Sequence, residues 1–186
     1  MSKLIGLSVA VLTLTAAIAT AAPPTPAARK DFQLLMDVAK SVDGYTPFTI
    51  FDDVSASVND GIVTLTGKVT MPFKRDDIVK RVAALDGVRR VNTEITVLPV
   101  SRFDEELRYA IARSIYGNSA FWNYAAMPNP PIHIVVEHGR VTLTGVVGSE
   151  GDRILARSLA SQFGAFSVTN ALRTDAEVRD ALEKSE

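Results

Sequence analysis

The sequence predicts an α+β fold: two αββαβ units, each a three-stranded mixed sheet with two helices packed on one face. Three observations carry this. The pentapeptide VTLTG stands at Val63 to Gly67 and again, letter for letter, at Val141 to Gly145. Around both copies apolar residues fall at every second place, the period of a half-buried strand. Before and after each such stretch they recur every three or four residues, the period of a helix with one buried face.

The first unit, residues 30–98, opens with a helix whose apolar face is expected at Phe32, Leu35, Met36 and Ala39. Val54, Ala56 and Val58 alternate along a first strand, and Val63 and Leu65 along a second, with Thr64 and Thr66 turned outward. Asn59-Asp60-Gly61 joins them, and a glycine there supplies the positive φ that a tight hairpin requires. Ile78, Val79, Val82 and Leu85 then fall at helical spacing, and Val91 to Ile95 closes the unit as a third strand.

The second unit, 101–174, repeats each step. Phe103, Leu107, Ile111 and Ile115 share a helix face, with Ser101 placed to cap it and acidic residues at 104 to 106 suiting its positive end. Ile132, Ile134 and Val136 alternate before Glu137-His138-Gly139, and Val141 and Leu143 after it. Leu155, Leu159, Ala160 and Phe163 mark a second helix, and Val168 to Leu172 a closing strand. Gly61 and Gly139 are turn glycines, while Gly67 and Gly145 relieve crowding near the strand ends. Only Pro99-Val100 separates the units. The acidic tail, 175–186, has Val178, Ala181 and Leu182 at helical spacing.

Composition bounds the function. With 47% apolar and 22% charged residues the chain is globular rather than disordered. A formal charge of −1 gives no field to draw in a nucleic acid. Residues 1–21 read as a signal peptide: Lys3, an apolar run too short for a membrane span, then Ala19-Thr20-Ala21, with cleavage expected after Ala21. Residues 22–29 form a Pro-rich leader, read as extended. The chain has no cysteine, so it carries no disulfide, no thiolate metal site and no lipid-modified cysteine.

A signal peptide followed by two αββαβ units, each with G-x-V-T-L-T-G-x-V in its hairpin (Gly61 to Val69 and Gly139 to Val147), resembles the BON family of bacterial envelope proteins. Phe166-Ser-Val-Thr-Asn170 adds to the likeness, which covers roughly 30 to 174. The resemblance implies a soluble, non-enzymatic periplasmic protein that binds phospholipid and supports the envelope under osmotic stress. Where the family has glycine-valine, the second unit has Ala165-Phe166, so packing there is expected to differ.

Catalysis finds no footing. His133 and His138 read as surface residues without a nucleophile or an HExxH pattern, and the Asp52-Asp53 and Asp76-Asp77 pairs lie at element starts, where capping explains them. No metal and no cofactor is expected. Three features remain as contact candidates. The basic pairs Lys74-Arg75, Lys80-Arg81 and Arg89-Arg90 would each offer an anionic bilayer about 1 kcal/mol per residue, partly cancelled by Asp76, Asp77 and Asp86. Phe121, Trp122 and Tyr124 crowd together in the second unit alone and suit either a membrane interface or the end of a core. Leu155 and Leu159 stand where the first unit has Asp77 and Arg81, and are read as a surface between the units or as part of their own core. The alternative to lipid is an adaptor that binds an envelope protein through exposed sheet edges and outward threonines (Thr64, Thr66, Thr142, Thr144). The oligomeric state is not read from the sequence.

Overall fold

The computed structural model describes residues 26–183; the expected signal peptide, its cleavage point and the leader up to residue 25 lie outside them. The first unit runs α1 (Pro26–Asp43), β1 (Asp53–Asn59), β2 (Ile62–Val69), α2 (Pro72–Ala83) and β3 (Arg90–Val97). The second runs α3 (Arg102–Tyr116), a 3-10 turn (Ser119–Phe121), the single-turn α4 (Trp122–Ala125), β4 (Ile132–Glu137), β5 (Arg140–Val147), α5 (Glu150–Ala160), β6 (Ser167–Asn170), β7 (Arg173–Thr174) and α6 (Asp175–Glu183). Each hairpin is antiparallel, and each closing strand lies parallel to the strand after the turn, β3 on β2 and β6 on β5. β7 continues alongside β5 and makes the second sheet four-stranded. The αββαβ order therefore occurs twice, with a short added strand and helix at the end.

Both hairpins close with two-residue loops, Asp60-Gly61 and His138-Gly139, in which all four residues have positive φ. That is the type I′ geometry, whose twist matches the flanking strands. A carboxylate holds each loop from the preceding helix. Asp31 of α1 accepts the N–H groups of Asp60 (2.6 Å) and Gly61 (3.0 Å), and Asp104 of α3 accepts those of His138 (2.9 Å) and Gly139 (2.7 Å).

This contact sets the rotation of α1 and corrects the expected face. With Asp31 on the turn, α1 buries Leu34, Val38 and Val42, as α3 buries Leu107, Ile111 and Ile115. Phe32 and Met36 are exposed instead, as is Phe103 at the start of α3. Both faces of α1 carry apolar residues at helical spacing, so periodicity alone does not choose between them. Nor is the leader extended throughout: Pro26 to Arg29 belong to α1, because a proline in the first turn costs no hydrogen bond.

The repeated pentapeptide works as expected. Val63 and Leu65, like Val141 and Leu143, are fully buried beneath the helices, beside Ile78 and Val82 in the first unit and Ala156 and Ala160 in the second. Its glycine is fixed by the neighbouring strand. Gly67 (φ 127°) and Gly145 (φ 111°) lie so close to the carbonyls of Asp53 and Pro131 that any β-carbon would overlap them. Ser101 caps α3 through the Asp104 N–H (3.2 Å). The tail forms a docked helix: Thr174 and Glu177 exchange side-chain to main-chain bonds in a capping box, and Glu177 pairs with Arg153 at 2.9 Å.

Candidate functional site

The expected basic surface of the first unit is largely committed elsewhere. Lys74 is buried, its ammonium 2.6 Å from the equally buried Asp52 carboxylate. Asp52 also accepts the Thr49 N–H and hydroxyl (both 2.8 Å), the Thr70 N–H (2.7 Å) and the Thr70 hydroxyl (2.8 Å). Burial alone would raise its pKa, but the bonds from Lys74, Thr70 and Thr49 outweigh that and hold the carboxyl below its ordinary value. Asp52 thus knots the loop before β1 to the end of β2 and the start of α2. Arg75 pairs with Asp76 (2.8 Å) and Arg89 with Asp60 (2.6 Å). Arg81 lies over the Tyr45 ring at 5.6 Å and donates to the Ser41 carbonyl. Tyr45 is buried and its hydroxyl donates to Asp77 at 2.7 Å; desolvation, and then the Asp77 carboxylate, push its pKa up to about 12. Of the six, Lys80, Arg81 and Arg90 are exposed without an ion-pair partner among the described residues, and of these Arg81 is held by the Tyr45 ring and the Ser41 carbonyl.

The aromatic segment of the second unit divides. Phe121 is 0% exposed and belongs to the core, whereas Trp122 is 74% exposed. Tyr124 packs 5.9 Å from Phe121, accepts the Gly148 N–H (2.7 Å) and donates to Asp152 (3.0 Å). In the alignment that sets Val141 on Val63, Gly148 and Asp152 fall on Thr70 and Lys74. A neutral phenol therefore fills the place that the Asp52 carboxylate holds in the first unit, with the charge of its partner reversed. Burial, and then Asp152, raise the Tyr124 pKa against the opposing Gly148 N–H.

Leu155 and Leu159 are half-buried against the core of their own unit, not the first unit. Contact between the units runs through the segment before β1. Ile50 and Phe51 pack on the second core, and the Ile50 carbonyl accepts the Ile134 N–H at 2.7 Å, adding a strand-like bond to the β4 edge. Phe51 meets Tyr109 edge-on at 5.2 Å, and Lys68 pairs with Glu137 across the sheets. His133, expected at the surface, lies in this junction. It stacks obliquely on Phe48 at 5.5 Å, and its Nδ1 donates to the Asp52 carbonyl at 2.6 Å. A carbonyl only accepts, so the proton sits on Nδ1. Among the described residues no three His, Asp or Glu side chains cluster to hold a metal ion.

Among the exposed apolar side chains of the described residues, one pair is in mutual ring contact. At the hairpin tip of the second unit Phe103 and Phe166 stack at 6.0 Å, exposed by 47% and 78%. Phe166 is positioned by its N–H on the Gly139 carbonyl (2.8 Å), as Arg89 is by its N–H on Gly61 (2.8 Å). Phe103 precedes the turn-binding Asp104, as Lys30 precedes Asp31. The same two places thus carry cations in the first unit and aromatic rings in the second. One ring comes from the start of the unit and the other from near its end, so only the fold brings them together. With Phe166 on Arg89, Gly164-Ala165 falls on Gly87-Val88, and both glycines have positive φ. The departure expected at Ala165-Phe166 is thus corrected to a shift of one residue, and the signal in sequence is a phenylalanine where the first unit has Arg89.

The chain belongs to the BON domain family, whose model matches residues 46–99 and 118–176, more than half the chain. Each match begins after the first helix of its unit, although α1 and α3 pack on the sheets that follow them. No curated protein matches the chain. Among solved structures, it is similar to CdsD, a structural protein of the type III secretion system of Chlamydia trachomatis, at 14% identity and a TM-score of 0.29, covering 81% of this chain and 97% of that one. A structure of the CdsD C-terminal domain is similar at 11% identity and a TM-score of 0.27, covering 74% and 96%.

Proposed function

We propose that this protein is an exported, periplasmic, non-enzymatic module that attaches weakly to anionic phospholipid membranes and supports the envelope under osmotic stress. The Phe103–Phe166 pair carries the reading. Two stacked rings left in water cost free energy unless something apolar covers them, and a bilayer interface suits rings presented at a loop tip. Covering their exposed parts is worth about 3 kcal/mol, roughly a hundredfold in partitioning. Arg140, just beyond the same turn, lies on the other face of the sheet in a cleft with Glu94 and Glu137. The rings themselves therefore carry the contact, and the exposed Lys80 and Arg90 supply the cations for anionic headgroups. The rest of the expected basic pairs of the first unit add little, since Lys74 is inaccessible and the others are engaged.

Co-sedimentation with vesicles of phosphatidylglycerol, against vesicles of phosphatidylcholine, tests this. The chain is expected to pellet with the anionic vesicles at low salt, and Phe166→Ser to abolish it. No pelleting at low salt, or equal pelleting of Phe166→Ser, would overturn the reading in favour of an envelope protein as the partner.

A further inference from the structure

β3 is the outer strand of the first sheet, bonded to β2 alone among the described residues. It is eight residues long, against four for its counterpart β6, so its free edge is the longer of the two. The direction of its main-chain groups follows from one bond. The Leu98 N–H, one step past the strand, donates to the Val69 carbonyl at 2.8 Å, so even-numbered residues turn toward β2 and odd-numbered ones outward. The outward Ile95 N–H finds only the Thr93 hydroxyl, at 3.3 Å.

On the face away from the helices this edge displays Arg90, Asn92 and Glu94, all exposed. Neither Arg90 nor Glu94 has an ion-pair partner among the described residues. Free edges are ordinarily blunted by charged side chains, by proline or by shortness. Here the two charges are opposite and stand on either side of Asn92, which makes the edge complementary to itself.

We propose that β3 pairs antiparallel with β3 of a second copy, Asn92 opposite Asn92. Facing residues in an antiparallel pair must both turn toward the partner or both away, so only alternate registers are open. Among these, the one centred on Asn92 alone sets Arg90 against the second copy's Glu94. One permitted step either way leaves Arg90 or Glu94 facing Asn92. In the chosen register the charges sit at non-hydrogen-bonded sites, where facing side chains are closest. Val91 and Thr93 exchange the main-chain bonds. The ladder then stops, because Arg89, opposite Ile95, turns its N–H back to Gly61 at 2.8 Å. The contact is the same patch on both copies, so it closes at a dimer, and its shortness makes the dimer weak.

Sedimentation velocity of the purified chain over a concentration series up to about 1 mM, the range of weak association, tests this. The mean mass is expected to rise toward that of a dimer. Arg90→Glu alone or Glu94→Arg alone should move that rise about tenfold up in concentration, and R90E/E94R together should restore it. A monomer throughout, assemblies beyond the dimer, indifference to the single reversals, or failure of the double reversal to restore would each overturn the proposal. Both side chains are exposed, so circular dichroism of the variants checks that the fold is kept.

Discussion

The Lys74 ammonium and the Asp52 carboxylate meet at 2.6 Å with both side chains out of water. Removing one partner of such a pair strands the other as an uncompensated buried charge. Lys74→Met is therefore expected to cost about 3–5 kcal/mol, read as a fall in the urea midpoint. Asp152→Met, at the same place in the second unit, should cost far less, because the partner left behind is a neutral phenol.

The same carboxylate gives the acid limb of stability a shape. The Asp52 pKa is depressed in the fold, so its contribution is complete above the unfolded value of about 3.9 and is lost as the pH falls through the folded one. Urea midpoints measured downward from pH 6 should fall steeply below about pH 4. Asp52→Asn should lower the midpoint at pH 6 and flatten that slope. At the alkaline end Tyr45 acts in the opposite sense, its contribution present below the unfolded value near 10 and lost as the pH rises through about 12.

Glycines with positive φ differ in what surrounds them. Gly145→Ala meets the Pro131 carbonyl as well as an unfavourable φ, and is expected to cost more than about 3 kcal/mol or to abolish folding. Gly164 (φ 73°) has nothing within 4 Å of a β-carbon, so Gly164→Ala should cost only about 1 kcal/mol, the backbone strain alone. Melting temperatures of the two variants separate steric overlap from strain.

Trp122 reports on where membrane contact happens. It lies beyond the C-terminal end of α3 while Phe103 lies at the other, about 22 Å of helix away. With docking through the Phe103–Phe166 tip, anionic vesicles should leave the tryptophan emission and its quenching by iodide unchanged. A blue shift on binding would place the contact at the aromatic segment instead.

Both hairpins were legible because strand period, turn glycine and pentapeptide all pointed to one answer in two places. The face of α1 was not, since Phe32, Met36 and Ala39 are spaced as regularly as Leu34, Val38 and Val42. A side-chain bond from Asp31 to the distant hairpin turn at Asp60-Gly61 made the choice. Aligning Asp31 with Asp104 would have disclosed it, because Leu34, Val38 and Val42 then fall on Leu107, Ile111 and Ile115. The burial of Lys74 and the pairing of Phe103 with Phe166 are likewise products of tertiary contact, which no local period encodes. Leu155 and Leu159 were the reverse: conspicuous in the comparison of the two copies, yet serving their own core.

Ile50 and Phe51 belong by sequence to the first unit and by packing to the second. A repeat counted in residues is thus not a repeat counted in folding events. With β4 bonded at Ile134 by a neighbour's carbonyl, melting one half strips the other of part of its interior. A single calorimetric transition is expected, with the van't Hoff and calorimetric enthalpies equal. A fragment cut at Pro99-Val100 should leave the second half loosened and readily proteolysed. Duplication gave this chain two copies of a motif, and the residues before β1 made them one cooperative object.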